Sequence, residues 1–373
     1  MRLIYFSQDY TPHDYRFLER LAATPHELYF LRLEDGGHRT EERRLPAGVS
    51  VIDWWGGRKP IRRWEMSRAK AEVGRVIDSV KPDLVHAGPV QRVAGLAAAN
   101  GFHPLVTMSW GSDLLTEARR GAGRQKARWV LGHTDVLACD CQTVRMRAEQ
   151  LGMPGDRIMV FPWGVDLEHF SPGDGAAIRR KLGWGSEFIV LWTRSWERRY
   201  GVETFVRAFL RASNEMPNLR LIMLGGGSLE RRIRQLLKTA ERSRHVFFGG
   251  QAGYAELPSY YHAADLYASA SLSDGSSISL LEALACGLPA VVSDIPSNRE
   301  WIIEGENGWR FTPGEIGDLL RALRLAASSQ EARRRISHQN RMLAEKEANW
   351  DVNFGKLMQA YDLALGSGPR QGK

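Results

Sequence analysis

Short apolar runs alternate with amphipathic segments along almost the whole chain, and that order fits a layered α/β fold built on parallel sheets. An apolar run of four to six residues is too short for a buried helix and reads as a strand covered on both faces. In the first half, strands are expected at Arg2–Phe6, Leu28–Leu33, Val49–Trp54, Leu84–Ala87, Leu105–Ser109, Val136–Cys139 and Ile158–Phe161. Helical patterns lie between them, among them Arg63–Val80 and Thr143–Leu151. After the turn-rich segment Gly164–Gly175 the order restarts, with strands at Phe188–Thr193, Leu219–Leu224, Val246–Phe248, Leu266–Ala268, Ala290–Ser293 and Gly308–Phe311. Val202–Ser213 and Leu229–Arg242 fit helices between these. At 373 residues the chain is too long for one hydrophobic core. The expectation is two doubly wound domains, residues 1–165 and 166–345, followed by a closing helix and flexible tail over 346–373. Ligands of open parallel sheets bind beyond the carboxyl ends of the strands, so the chemistry is expected on loops that face a cleft between the domains.

Composition excludes several classes. No run of about 18 apolar residues marks a spanning helix. The N-terminus MRLIYFSQDYTPHD reads as a first strand rather than a signal peptide, which makes the cytoplasm the expected compartment. The three cysteines, Cys139, Cys141 and Cys286, are too few for a disulfide framework and read as small buried residues. The net charge of +8 is compatible with nucleic acid, an anionic membrane or a phosphorylated ligand, and does not choose among them.

The most informative segment is Ser271–Asp294, SLSDGSSISLLEALACGLPAVVSD. A strand ends near Ala270, a loop with Gly275, Ser276 and Ser277 follows, and Ile278, Leu281 and Ala285 mark one helical face. Exposed N–H groups at a helix start, flanked by small residues, form a phosphate site. Glu282, one turn in, is placed to accept hydrogen bonds from adjacent ribose hydroxyls. A second reading needs no ligand, because Ser279-x-x-Glu282 also has the form of a capping box.

The segment resembles the donor-binding signature of glycosyltransferase family 4: an acid, seven residues, a Glu, then A-x-A-C-G-x-P. Asp274 and Glu282 stand at the acidic positions, and Ala283 to Pro289 match in order. The first acid is usually Glu, and Asp274 is one methylene shorter. Other landmarks resemble the family in the same order: Phe161-Pro162-Trp163-Gly164-Val165-Asp166 with Phe170 and Pro172, Leu224-Gly225-Gly226-Gly227, Phe247-Phe248-Gly249, and Trp350 followed by Tyr361. The resemblance implies the GT-B fold, with two Rossmann-like domains facing a cleft and a C-terminal helix returning to the first. It also implies a retaining transfer, independent of metal, of a hexose from a nucleoside-diphosphate sugar to an acceptor hydroxyl. Glu282 then binds the ribose, Asp274 the sugar hydroxyls, and the Gly275–Ser279 backbone, through Ser277, Ile278 and Ser279, the phosphates. Gly225 lies below the nucleotide and Phe248 beside the base.

No D-x-D metal motif occurs in the chain, so cations are expected to stabilise the departing diphosphate. Arg194 stands where the family places an Arg, with Thr193 replacing a Gly. Six residues on, where the family has Lys, this chain has Tyr200, and neighbouring Arg199 is expected to supply the second charge. On the acceptor side, Val106-Thr107-Met108-Ser109-Trp110-Gly111-Ser112-Asp113 resembles T-x-H-G-x-D, with Trp110 replacing His. Trp cannot take a proton, so Trp110 is expected to stack on a sugar or shape the pocket, and Asp113 to hydrogen-bond donor or acceptor. Thr11 and Pro12 read as the start of a helix that places His13 and Asp14 toward the ligand, and His86 is a second histidine candidate.

Arg58–Trp64 and the arginines between Arg119 and Arg128 form basic clusters which, with Trp64 and Ile61, suit an anionic membrane surface. The expected partners are therefore a nucleoside-diphosphate sugar as substrate, with no separate cofactor or metal, and a glycan, glycolipid or small-molecule acceptor. A peripheral contact with the inner face of an anionic membrane is part of the same expectation. Competing readings keep the fold with epimerase or phosphorylase chemistry, or bind nucleic acid. The last lacks an aromatic-basic recognition module.

Overall fold

The computed structural model describes residues 1–35, 41, 43–242, 245–328 and 330–366. The expected tail beyond Gly366 lies outside them. The chain forms two compact units, residues 1–161 with 354–373, and residues 162–353.

The first unit is a seven-stranded sheet in the order β3-β2-β1-β4-β5-β6-β7, with β1 Arg2–Ser7, β2 Glu27–Arg32, β3 Val49–Val51, β4 Leu84–Gly88, β5 Leu105–Met108, β6 Val136–Cys139 and β7 Ile158–Val160. The second has six strands in the order β10-β9-β8-β11-β12-β13, with β8 Phe188–Trp192, β9 Leu219–Leu224, β10 Val246–Gly250, β11 Leu266–Ser269, β12 Ala290–Ser293 and β13 Gly308–Phe311. All of these pairings are parallel. Every expected strand is present, although the third stops at Val51 instead of Trp54.

The two-residue period of a strand explains why these apolar runs are continuous. In β8, Phe188, Val190 and Trp192 pack into one core layer, while Ile189 and Leu191 pack into the layer on the other face. β9 repeats the division, with Leu219, Leu221 and Met223 on one side and Ile222 and Leu224 on the other. Each such side chain contributes about 1.5–3 kcal/mol on burial. The charged residue in these two strands, Arg220, is half-buried, and its guanidinium donates to the carbonyls of Pro217 and Leu219 and to Glu187.

Thr11 caps the helix Pro12–Ala22, with Pro12 in its first turn. The capping box is closed by Asp14, whose carboxylate accepts from the Thr11 amide at 2.8 Å and from Tyr5 Oη at 3.1 Å. Asp14 is therefore buried inside the unit and does not face a ligand. Burial raises its carboxyl to about 6, against hydrogen bonds that lower it. His86 also departs from its expectation as a site residue. It lies inside β4 with no exposed surface, its Nδ1 2.7 Å from Tyr361 Oη on the helix Trp350–Gly366. Tyr5 and Phe17 pack edge-on against it.

Burial lowers His86 from 6.5 to about 3, so it is neutral in the fold. The unfolded chain binds this proton below about pH 6.5 and the folded chain does not, so acidification through that window costs stability. The loss through this group is up to about 1.4 kcal/mol per pH unit. Urea titrations between pH 7 and 5 should therefore show a weaker pH dependence in the double variant His86→Leu/Tyr361→Phe than in the native chain. An unchanged slope would mean that His86 is not buried neutral.

Candidate donor site

The segment after β11 folds into a loop and the helix Ile278–Ala285, with Ser277 at its N-cap. The Ser277 side chain does not cap the helix. The helix begins one residue before Ser279, and Glu282 reaches elsewhere, so Ser279-x-x-Glu282 is not a capping box. Among the described residues no acceptor closes on the Ile278 or Ser279 amide, while Leu280 and Leu281 both donate to Ser277 O. An uncapped helix start with two amides open is a place for an anion.

Side chains complete the arrangement. Arg194, just past the end of β8, makes an ion pair with Asp274 at 2.5 Å. Its other terminal nitrogen donates to Ser277 Oγ at 2.9 Å and Ser279 Oγ at 3.4 Å. Burial works against the Arg194 charge, but Asp274 and the surrounding tyrosines hold the guanidinium above its ordinary range. Tyr267 Oη lies 2.8 Å from Ser279 Oγ. Tyr261 donates to Glu282 Oε2 at 2.8 Å and lies 3.1 Å from Ser279 O. Burial, then the Glu282 carboxylate, pushes the Tyr261 hydroxyl well above its usual range, so it remains a donor. Tyr261 and Tyr267 were missed in the sequence because nothing near them in the chain marks them; Tyr261, on the helix Leu257–Ala263, and Tyr267, in β11, meet the start of the next helix only in the folded unit.

Other expected residues join the same network. Ser276 accepts from Trp301 Nε1 at 3.1 Å, and the adjacent Gly275 is buried. Gly225 has a φ of +80°, which favours glycine, and its amide donates to Gly250 O at 2.6 Å. Phe248 packs against Trp196 at 5.6 Å, and Arg234 lies over its ring at 4.5 Å. Arg199 is exposed in the turn Arg198–Tyr200, and both its guanidinium and that of Arg194 lie over the Tyr200 ring, at 4.7 and 4.1 Å.

The remaining expected residues belong to the first unit. His13 and Trp110 are in ring contact at 5.3 Å. Trp110 Nε1 is buried, and the Trp110 edge lies against Gly88, where an added Cβ would come within 2.9 Å of Nε1. Asp113 corrects the expectation of a ligand-facing carboxylate. It is 2 % exposed and accepts from the amides of Val90, Trp110 and Leu114 and from Ser109 Oγ, at 2.8–3.1 Å. Burial raises it to about 6 against those bonds. Asp113 thereby joins two π-helical turns, Val90–Ala94 and Asp113–Glu117, that follow β4 and β5.

The basic clusters lie on this unit as well. Trp64 is 73 % exposed beneath the Arg62 guanidinium, and Lys59 and Arg68 lie over Trp55. Burial, then the like charges of Arg92 and Arg63, lowers Lys126. Ile61 is buried in the core, so it does not contribute to an exposed surface. Cys139 and Cys141 are buried and Cys286 half-buried, with no disulfide among the described residues. Among the described residues no group of three or more His, Cys, Asp or Glu could hold a metal ion, and no helix is long and apolar enough to cross a membrane.

Gly201 sets the geometry of the Tyr200 turn. Its φ is +64°, and an added Cβ would lie 2.1 Å from Ala270 O. Gly201→Ala is expected to lower stability by about 2 kcal/mol or more, combining left-handed strain with a backbone collision. Denaturant melts would read the loss, and an unperturbed Gly201→Ala would contradict this packing.

Comparison with known proteins agrees with the architecture. The family model described as Glycosyltransferase Family 4 matches residues 13–169, and that described as Glycosyl transferases group 1 matches residues 174–342. The chain is 26 % identical to the glycosyltransferase-type protein EpsD of Bacillus subtilis over 81 % of its own length and 84 % of that protein. It is 23 % identical to the alpha-monoglucosyldiacylglycerol synthase of Acholeplasma laidlawii, covering 84 % and 86 %. The structure of Anabaena HepE in complex with UDP-glucose superimposes with a TM-score of 0.79 at 18 % identity, over 97 % of this chain and 100 % of that one. With both units matched in order, the chain belongs to the family 4 glycosyltransferases and has the GT-B fold.

Proposed function

We propose that the chain is a retaining transferase that moves a hexose from a nucleoside-diphosphate sugar to an acceptor hydroxyl without a metal ion. The observation that carries this reading is the uncapped start of the helix Ile278–Ala285, with Arg194 and Asp274 paired beside it. A diphosphate accepts from the Ile278 and Ser279 amides and competes with Asp274 for Arg194. The released Asp274 carboxylate then accepts from the sugar hydroxyls, and Glu282, oriented by Tyr261, accepts from the ribose. Phe248, Arg234 and Gly225 lie on the base side.

During transfer the bond from the anomeric carbon to the phosphate oxygen breaks, and the acceptor oxygen forms its bond on the same face. The departing phosphate oxygen takes the acceptor's proton, because Trp110 stands in the place of a histidine and has no basic nitrogen. Developing charge on the diphosphate meets the helix N-terminus, Arg194 and Arg199. Acceptor recognition falls to the first unit, through His13 and the Trp110 loop.

Two relatives are named after lipids, the alpha-monoglucosyldiacylglycerol synthase of Acholeplasma laidlawii and the GDP-mannose-dependent alpha-(1-6)-phosphatidylinositol monomannoside mannosyltransferase of Mycolicibacterium smegmatis. With the exposed Trp64 and its arginines, this favours a lipid-linked acceptor reached from an anionic membrane surface. Vesicles rich in phosphatidylglycerol should retain the protein at low salt and release Trp64→Ser more readily. Equal retention by phosphatidylcholine vesicles would remove the membrane contact from the reading.

The site itself is tested by substitution. Glu282→Ala should weaken nucleoside-diphosphate binding about ten- to a hundredfold, the worth of a charged hydrogen bond. Asp274→Ala should retain nucleotide binding and lose turnover. Sugar transfer with retained configuration in both variants at native rates would exclude the assignment, and a released free sugar phosphate or an epimerised donor would favour phosphorylase or epimerase chemistry.

A further inference from the structure

The charge at this site is short by one group. Arg194 is already neutralised by Asp274, and Glu282 adds a second carboxylate near the same helix. A diphosphate placed there needs another cation, and the position six residues after Arg194 holds an uncharged Tyr200.

The structure gives Tyr200 a different means of supplying charge. Its ring packs half-buried on the core of the second unit, and both the Arg194 and the Arg199 guanidinium lie over it, at 4.1 and 4.7 Å. A tyrosine face attracts a cation through its quadrupole, most strongly where water is partly excluded. The turn that carries the ring is fixed against the site. The Leu272 amide donates to Arg199 O at 2.8 Å, two residues before Asp274, and Gly201 allows the turn to approach Ala270. Arg199 makes no ion pair among the described residues, and neighbouring Glu197 is occupied by the Ser228 amide and hydroxyl. The Glu197 carboxyl is held below its usual range by those two bonds and, after them, by the Arg199 charge, so the Arg199 guanidinium rests on the ring and meets Glu197 only at longer range.

We propose that Tyr200 is a positioning residue that holds Arg194 and Arg199 on one aromatic platform, so that both charges meet the departing diphosphate. The inference rests on the donor-site reading above. Without the ring, Arg199 is a solvated side chain that must be ordered each time a ligand binds, and ordering a long side chain weakens affinity.

The test titrates UDP and GDP, by calorimetry, onto the full chain and its variants. Tyr200→Phe keeps the ring and should bind within about twofold of the native protein. Tyr200→Leu should bind about tenfold more weakly, as should Arg199→Ala. Because the ring acts through Arg199, the double variant should lose much less than the product of the two single losses. Should Tyr200→Leu fail to fold, Tyr200→Met removes the ring while keeping bulk against the core, with the same expectation. Native affinity in Tyr200→Leu or Tyr200→Met, equal weakness in Tyr200→Phe, or fully multiplicative losses would each overturn the proposal. A native protein that binds no nucleoside diphosphate, with ADP, CDP and dTDP tested beside UDP and GDP, contradicts the donor-site reading itself, and Tyr200 with it.

Discussion

The ion pair between Arg194 and Asp274 is the interaction around which the second unit's loops are arranged. Two charges with side-chain exposures of 13 % and 18 % lose most of their hydration, and their mutual attraction seldom repays that loss without further partners. Here the partners are supplied by the loops themselves. Ser277 and Ser279 accept from Arg194, Tyr267 orders Ser279, and the Tyr200 ring lies under the guanidinium. The pair therefore cross-links the end of β8 to the loop after β11 and to the first turn of the following helix. Breaking it by removing one member would leave a poorly solvated charge, which is why an incoming anion is the natural replacement for Asp274.

The two units use buried polar groups differently. In the second, polar side chains converge on a helix start whose amides stay open. In the first, Asp14 and Asp113 spend their oxygens inside the unit, one closing a helix cap and the other locking two π turns at the ends of β4 and β5. Such π turns are often found at functional sites, and here they carry the Trp110 loop. Asp113 thus shapes the surface that His13 and Trp110 present without meeting a ligand itself.

The strands were legible in the sequence because residues buried on both faces leave no room for polar alternation, as β8 shows. The donor segment was legible because Ala283 to Pro289 and the spacing of Asp274 and Glu282 are local patterns. The cap at Thr11 and Pro12 was legible for the same reason. Contacts made across the sheet were not. Tyr261 and Tyr267 look like ordinary core aromatics in the chain, and only the packing of the helix Leu257–Ala263 and of β11 against the helix Ile278–Ala285 brings them to Ser279 and Glu282. His86 lies inside a strand, Asp14 in the first turn of a helix and Asp113 in the turn after β5, and each has the same local sequence whether it faces a ligand or is turned inward. Tertiary packing decides between the two, and for these three it turned them inward.

A structure of the protein with a bound nucleoside diphosphate tests the donor site most directly. The account predicts a phosphate accepting from the Ile278 and Ser279 amides, with Arg194 moved from Asp274 onto a phosphate oxygen and Glu282 accepting from the ribose. A nucleotide bound elsewhere, or bound here with the Arg194–Asp274 pair intact and the two amides still open, would contradict it.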